Sequence, residues 1–154
     1  PKCVSEIGDL ARGRFQRVLP DSIPPDNVRR VLLCSGKLYY ELAQARDESG
    51  RDDVALIRIE QLYPFPDSEL AKALKSYADD TPVMWVQEEP ENMGAWPFIR
   101  VRFGDNLFGR FPFQGISRPA SASTATGSTS SHRLEQSELI DNALGVRDHV
   151  GLGS

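Results

Sequence analysis

Short apolar runs alternate with amphipathic stretches through the middle of the chain. The runs at residues 31–34 and 83–86 are continuous, and the run at residues 54–59 contains one charged residue, Arg58; apolar runs of this length are typical of buried strands. Between them, residues 38–48 and 67–77 place apolar side chains at helical spacing, so each predicts an amphipathic helix. Strands and helices that alternate over short connections predict an α/β fold. We expect a three-layer, mostly parallel (mixed) sheet flanked by helices.

The pattern weakens towards both ends of the chain. Two adjacent prolines in the run DSIPPDN predict a surface linker, so we interpret residues 1–27 as an N-terminal extension and linker. Residues 28–145 then form the α/β domain. In it, residues 114–117 predict a further strand near a sheet edge and residues 131–144 a last helix. Beyond the helix, residues 146–154 predict a flexible tail.

Composition and charge are those of an ordinary globular protein. The chain has 154 residues, 40% hydrophobic and 26% charged, with a formal net charge of -4, which fits one domain. This acidic balance offers no basic surface for nucleic acid, and no apolar run approaches the roughly 20 residues that cross a membrane. Cys3, Cys34, His132 and His149 lack the spacing of a zinc site. We therefore expect no metal ligands, and we expect Cys34 to pack in its strand.

Residues 83–97 are the stretch around which the chain is organised. An apolar strand there ends abruptly in the polar run QEEPEN. In an open α/β sheet, ligands and partner domains bind at this carboxyl end of the strands. We expect Trp85 to be buried in the sheet and the residues after it to face another domain or subunit, since an aromatic residue beside carboxylates suits an interface anchor. The interface candidates are Gln87, Glu88, Glu89, Asn92 and Trp96.

Other roles for these polar residues can be weighed from the backbone alone. Glu88 and Glu89 are neighbours on an extended strand, so their side chains point to opposite sides of the sheet. They are poorly placed as an acid/base pair on one substrate. Asn92 is also a candidate N-cap for the helix that follows it. We therefore predict no catalytic residue in this stretch.

A weak anion-site pattern follows the first predicted strand. Ser35, Gly36 and Lys37 lie at a strand–helix turn, where backbone N–H groups bind anions, but the turn lacks the glycine-rich phosphate patterns. Arg118 and His132 would extend such a site if the fold gathers them there. The alternatives are that the glycine only relieves steric crowding, that the arginine is solvated or interfacial, and that the histidine is structural, since no GxSxG elbow accompanies it.

Four segments of the chain carry a family resemblance. They read VLLCSGKLYYEL, DVALIRIEQLYPFP, QEEPENMGAW and SRPASASTATG, the last followed by a helix that begins near His132. Together they resemble the C-terminal domain of 2-oxoglutarate dehydrogenase over residues 1–144. The strand followed by L-x-P-x-P is similar to transketolase C-terminal domains in general. The QEEP-x-N-x-GAW block is similar to the 2-oxoglutarate branch.

This resemblance implies a transketolase C-terminal-like fold and a large enzyme. Enzymes of the family oxidatively decarboxylate 2-oxoglutarate on thiamine diphosphate with Mg²⁺, and they succinylate the lipoyl group of a partner succinyltransferase. The resemblance places the catalytic, cofactor-binding and metal-binding residues in domains outside this chain, so it implies none here. It also implies a domain that supports a homodimer, borders the active site and lies near effector surfaces. The mitochondrial matrix and the bacterial cytoplasm are both allowed locations.

Two alternatives stay open at this point. The related 2-oxoadipate dehydrogenase shares the QEEP-type block, although SRPASAST is more similar to the 2-oxoglutarate branch. A stand-alone, non-catalytic module of the same fold would bind a nucleotide or another anion. The start at Pro1 favours a fragment of the dehydrogenase, which would be inactive alone. Composition predicts disorder for residues 119–131, but the resemblance implies an ordered loop, which we prefer because small side chains allow close backbone approach.

Overall fold

The computed structural model describes residues 15–123 and 129–146, and within them one sheet lies between two pairs of helices. Its strands are β1 (Val18–Leu19), β2 (Arg30–Cys34), β3 (Val54–Ile59), β4 (Val83–Pro90), β5 (Asn106–Leu107) and β6 (Phe111–Arg118). The helices are α1 (Leu38–Ser49), α2 (Asp67–Leu74), α3 (Trp96–Phe103) and α4 (Thr129–Leu144), and a 3-10 turn covers Pro25–Asn27.

The six strands are ordered β1-β3-β2-β4-β6-β5 across the sheet. The four central strands are parallel, so that Leu33 of β2 lies opposite Ile57 of β3 on one side and Trp85 of β4 on the other. The two-residue strands β1 and β5 run antiparallel to β3 and β6. The predicted mixed, mostly parallel α/β sheet is confirmed, and the expected strand near an edge is β6.

Alternate residues of the central strands pack against opposite pairs of helices, as the strand period of two requires. On one face, Val31 and Leu33 join a core with side chains of α2 and α3. On the other face, Leu32 and Cys34 join a core with side chains of α1 and α4. A sheet covered on both faces needs apolar residues at every strand position, which explains the continuous apolar runs.

The parallel strands β2, β3, β4 and β6 bring their carboxyl ends to one edge of the sheet. We call this the carboxyl edge. The segments that leave these four strands, at residues 35–37, 60–66, 91–95 and 119–123, therefore lie along it. The predicted site residues fall in or beside these segments.

The described part of the predicted N-terminal extension belongs to the domain. β1 pairs with β3 at the edge of the sheet. The Asp21 side chain is only 4% exposed; it accepts hydrogen bonds from the Arg46 guanidinium and from Leu56 N, the latter at 2.6 Å from Oδ2. Strand pairing and a buried carboxylate therefore tie residues 18–27 to the sheet.

Three sequence predictions fall partly or wholly outside the described residues. Residues 1–14 account for the first half of the predicted extension. Residues 124–128 interrupt the loop that was predicted to be ordered. Residues 147–154 make up all but the first residue of the predicted tail, and that first residue, Val146, still donates its N–H to the carbonyl of Asp141 at 3.0 Å.

Candidate functional site

β4 and the turn after it form the centre of the carboxyl edge. Trp85 is 1% exposed, which confirms its predicted burial. The strand continues to Pro90 in an irregular register against β6, so the first polar residues lie on a strand and not in a turn. The chain then turns through residues 91–95, and α3 begins at Trp96.

Gln87 is buried and uses both atoms of its amide. Its Oε1 accepts hydrogen bonds from Trp85 Nε1 at 3.0 Å and from the backbone N of Trp96 at 2.8 Å. Its Nε2 donates to the carbonyls of Met93 at 2.7 Å and Pro90 at 3.1 Å. The first N–H groups of a helix have no partner within the helix. Gln87 accepts a hydrogen bond from the N–H of Trp96 and so takes the role of an N-cap side chain for α3. We call Trp85, Gln87, Met93 and Trp96 the Gln87 cluster.

Trp96 is buried, so the exposure predicted for it is wrong. Its side chain is 6% exposed, and its ring packs edge-to-face on Phe113 with 5.6 Å between ring centroids. Gly115 on β6 makes the space, since a Cβ there would lie 2.4 Å from Cε2 of Trp96. The indole on α3 fills the space that the glycine on β6 leaves open. Trp96 is a core residue of its own chain.

Asn92 is exposed and does not cap α3, so the N-cap interpretation is wrong. The residue at the N-cap position is Ala95, which makes no side-chain hydrogen bond there. Asn92 Nδ2 donates to the carbonyl of Ser121 at 2.9 Å, and its Oδ1 accepts from Ser121 N at 3.0 Å. These two bonds connect the turn after β4 to the segment after β6, so Asn92 braces the carboxyl edge.

Glu88 and Glu89 point to opposite sides of the sheet, as predicted. Glu88 Oε1 lies 3.3 Å from Lys37 Nζ and accepts a hydrogen bond from Gln136 Nε2 at 3.0 Å, on the side of α1 and α4. Glu89 is exposed and lines a cleft on the side of α3. The two carboxylates cannot act together on one substrate.

Arg118 and His132 come together where β6 ends. Arg118 Nη2 lies 3.0 Å from His132 Nδ1 and donates to Gln136 Oε1 at 3.1 Å, and its Nη1 lies 3.7 Å from Glu135 Oε2. Since a guanidinium is only a donor, His132 Nδ1 is the acceptor in their contact. We call Arg118, His132, Glu135 and Gln136 the Arg118 cluster.

The cations near this cluster are surrounded by carboxylates. Gln136 Nε2 also donates to Glu41 Oε2 at 2.7 Å, and Lys37 Nζ lies within 4.0 Å of Glu41 as well as near Glu88. Lys37 and Arg118 thus face the carboxylates of Glu41, Glu88 and Glu135. This balance of charge disfavours a further anion.

The other two anion-site candidates are not part of this arrangement. Ser35 lines the cleft on the opposite side of the sheet from the Arg118 cluster. Gly36 has φ of 63°, a left-handed conformation that favours glycine. A steric reason for this glycine is therefore sufficient, and the structure does not assemble the predicted site as one unit.

A cleft of about 340 Å³ opens at the carboxyl edge between the segment after β3 and α3. Tyr63 and Phe98 stand at it with side chains 86% and 43% exposed. Members of the Gln87 cluster form its floor, and none of the described residues that line it is Lys, Arg or His. The remaining lining residues are Ser35, Leu62, Glu89, Gly94 and Ala95. We call this the Tyr63 cleft.

Cys34 ends β2 beside this edge but is not a reactive group. Burial raises the pKa of its thiol to about 12, so the thiol stays protonated and is a poor nucleophile. Among residues 15–123 and 129–146, no three His, Cys, Asp or Glu side chains are grouped so as to hold a metal ion. Within the same residues, we also find no helix with the length and apolar character that a membrane span requires.

The amino-acid sequence matches the family model described as 2-oxoglutarate dehydrogenase C-terminal over residues 4–144. The chain belongs to this family. The resemblance drawn from the four sequence segments is thereby confirmed, and the α/β sheet described above is the fold of this family's C-terminal domain in the present chain.

Known proteins of the 2-oxoglutarate dehydrogenase family are similar to nearly the whole chain. It is 44% identical over 146 residues to the 2-oxoglutarate dehydrogenase E1 component of Haemophilus influenzae, covering 94% of this chain and 16% of that protein. It is 42% identical over 143 residues to the E1 component of Cupriavidus necator, covering 92% and 15%. It is 42% identical over 133 residues to the 2-oxoglutarate dehydrogenase E1/E2 component of Corynebacterium glutamicum, covering 85% and 11%. The chain thus spans between 11% and 16% of these relatives.

Sequence reasoning missed three features of the carboxyl edge in this family member. Gln87 was predicted to be an interface residue. Its hydrogen bonds to the backbone form only when the turn is folded, so the sequence does not reveal them. Gly115 had a usable signal, since a glycine inside a strand often marks a close approach by another group. No sequence signal indicated that Tyr63 and Phe98 are exposed, because the exposure of an aromatic residue depends on what packs beside it.

Proposed function

We propose that this chain is the C-terminal domain of the E1 component of a 2-oxoglutarate dehydrogenase. The observation that carries the proposal is the family match over residues 4–144, together with E1 relatives at 42–44% identity of which the chain covers about a sixth or less. The complete protein would oxidatively decarboxylate 2-oxoglutarate and succinylate the lipoyl group of a partner succinyltransferase.

The chemistry of the complete protein takes place outside this chain. Thiamine diphosphate with Mg²⁺, the cofactor that the family implies, needs cationic or N–H donors for its diphosphate and several oxygen ligands for its metal. The Tyr63 cleft offers one carboxylate and no basic side chain, and the Arg118 cluster already pairs its cations. The described residues do not fit the cofactor, so we assign them no step of the reaction.

This domain serves assembly and borders the active site of the longer enzyme. Two observations support that role: the carboxyl edge exposes Tyr63 and Phe98 beside a preformed cleft, and its polar turn is held by the Gln87 cluster. Exposed aromatic side chains beside a rigid turn suit contact with another domain or subunit. Among the interface residues predicted from the sequence, Glu89 is the exposed one that lines this cleft.

The relatives also bear on the proposed partners and location. We propose a homodimer that works with a lipoyl-bearing succinyltransferase; the E1/E2 name of the Corynebacterium glutamicum relative supports such a partnership. The relatives named above are bacterial proteins, which supports the bacterial cytoplasm over the mitochondrial matrix. Their names also support 2-oxoglutarate over 2-oxoadipate as the substrate.

The alternative of a stand-alone anion-binding module has less support. The predicted anion site is divided between two sides of the sheet, and its cations Lys37 and Arg118 already have carboxylate neighbours. An effector site elsewhere in the assembled enzyme is a separate question that this surface does not answer.

Activity measurements on two proteins test the proposal. The product of the complete gene, supplied with thiamine diphosphate, Mg²⁺ and ferricyanide as electron acceptor, should decarboxylate 2-oxoglutarate much faster than 2-oxoadipate. The 154-residue chain alone should show no turnover above buffer. A complete gene product that lacks this activity, or that prefers 2-oxoadipate, would contradict the proposal; so would turnover by the short chain.

A further inference from the structure

The Tyr63 cleft combines an apolar interior with exposed aromatic walls. Leu62, Ala95 and Phe98 line it, and Tyr63 stands 86% exposed at its mouth. Isolated exposed apolar residues are ordinary, but aromatic side chains gathered around a concave surface mark a contact site. A volume of about 340 Å³ accommodates one or two side chains of an incoming segment, not a folded domain.

Among the described residues that line the cleft, the only charged side chain is negative. Glu89 lines it with an exposed carboxylate for which the described residues provide no hydrogen-bond or ion-pair partner, and no Lys, Arg or His is among the lining residues. Its neighbour Glu88 differs, since Lys37 and Gln136 both contact it on the other side of the sheet. Within residues 15–123 and 129–146, Glu89 therefore lacks a cation and is left to pair with one that these residues do not supply.

The wall that carries this carboxylate is held rigidly. Gln87 binds the carbonyls of Pro90 and Met93, and Gly94 lies so close to it that a Cβ there would be 3.0 Å from the amide. A surface already fixed in its binding shape loses little conformational entropy when a partner docks. The cleft therefore already has its shape within this chain.

We propose that the Tyr63 cleft receives a segment from the part of the same protein that lies outside residues 1–154, and that this segment inserts an apolar side chain and places a Lys or Arg against Glu89. The inference rests on the proposed function, in which the chain is one domain of a longer enzyme. Relatives extend far beyond the matched region, since the chain covers 11–16% of their length. The apolar lining and the unpaired carboxylate define the chemistry of the segment.

Photo-crosslinking in the complete enzyme tests this inference. p-Benzoylphenylalanine at position 63, and separately at position 98, should crosslink on irradiation, and mass spectrometry should map the product to a peptide outside residues 1–154 that contains an apolar residue beside Lys or Arg. Tyr63 is largely exposed, so its replacement leaves the core intact. Glu89→Lys should lower the crosslink yield by about tenfold, because like charges repel at a docked contact.

Glu91→Lys is the matched control. Glu91 is also exposed and lies two residues after Glu89 in the chain, but it lines a different cavity, beside Arg100. Reversing its charge should change the yield less than twofold. The inference is overturned by a crosslink to a separate protein or to residues 1–154 of a second copy, by no crosslink from either position, or by a yield that Glu89→Lys leaves unchanged. If the complete enzyme is active on 2-oxoglutarate and one of these results is found, only this inference fails and the proposed function stands.

Discussion

The two polar clusters of the carboxyl edge lie on opposite sides of the same sheet and are built differently. The Gln87 cluster is neutral and buried. Its central amide is 4% exposed; it accepts hydrogen bonds from an indole N–H and from the first N–H of α3, and it donates to two backbone carbonyls. The Arg118 cluster is charged and lies nearer to solvent. Arg118 itself is 9% exposed, but His132 is exposed and the Glu135 side chain is 33% exposed.

The difference shows how charge decides which polar groups can be taken into a protein interior. A neutral amide is tolerated there when each of its atoms has a partner, and it then fixes the conformation of the backbone it binds. Ionised groups lose much more hydration on burial, and the partners of the buried Arg118 keep contact with water, so its ion pair with Glu135 is screened. We expect the Gln87 cluster to govern the stability of the edge and the charged pairs to contribute little.

The largest effect should come from the two tryptophans that enclose Gln87. Trp85→Ala and Trp96→Ala should each lower the free energy of unfolding of the 154-residue chain by about 3–5 kcal/mol, because both indoles fill closely packed space. Urea denaturation followed by circular dichroism measures this. Val101→Ala, at a side chain 89% exposed, is the control and should change stability by less than about 0.5 kcal/mol. A small effect of Trp96→Ala alone would mean that this indole is not part of the core.

A matched pair of glutamines tests the comparison most directly. Gln87→Leu should lower the free energy of unfolding by roughly 2–3 kcal/mol, because it leaves buried N–H and carbonyl groups without partners. Gln136→Leu removes an amide that makes three hydrogen bonds, to Arg118, Glu41 and Glu88, but water can replace it, so a loss below about 1 kcal/mol is expected. Equal losses in urea denaturation would show that burial does not distinguish the two clusters.

The smallest effect should come from the ion pair between Lys37 and Glu88. Their charged atoms are 3.3 Å apart, but the lysine side chain is 69% exposed. A double-mutant cycle with Lys37→Met and Glu88→Gln should give a coupling free energy of about 0–1 kcal/mol, falling further in 1 M NaCl. A coupling that is larger and insensitive to salt would place this pair in a drier environment than its exposure indicates.

Local patterns in the chain were enough to predict the architecture. The apolar runs of β2, β3 and β4 indicate strands that are buried on both faces. The helical spacing between these runs indicates the helices that connect parallel strands, and together the two patterns predict the parallel α/β sheet. The alternation of a strand also predicted that Glu88 and Glu89 separate to opposite sides and that Trp85 is buried. These features depend on the period of a helix or strand, and residues that are close together in the sequence are enough to reveal that period.

The environment of individual residues at the edge required the folded structure. Trp96 follows a polar turn and looks exposed in the sequence, yet Gly115 on β6 leaves the space that buries it. Asp21 sits in a proline-rich run that resembles a linker, yet it binds Arg46 and the backbone of β3.

The same limit applies to the candidate site. Gln87 acts as a cap only because the turn folds back over it, and Glu89 has no partner among the described residues because Lys37, the cation that contacts its neighbour Glu88, lies on the other side of the sheet. The amino-acid pattern settled the fold and the family, since periodicity and contiguous motifs are local properties. Burial, pairing and the shape of the Tyr63 cleft were settled by tertiary contacts, since these depend on residues that are distant in the chain and meet only when the sheet is complete.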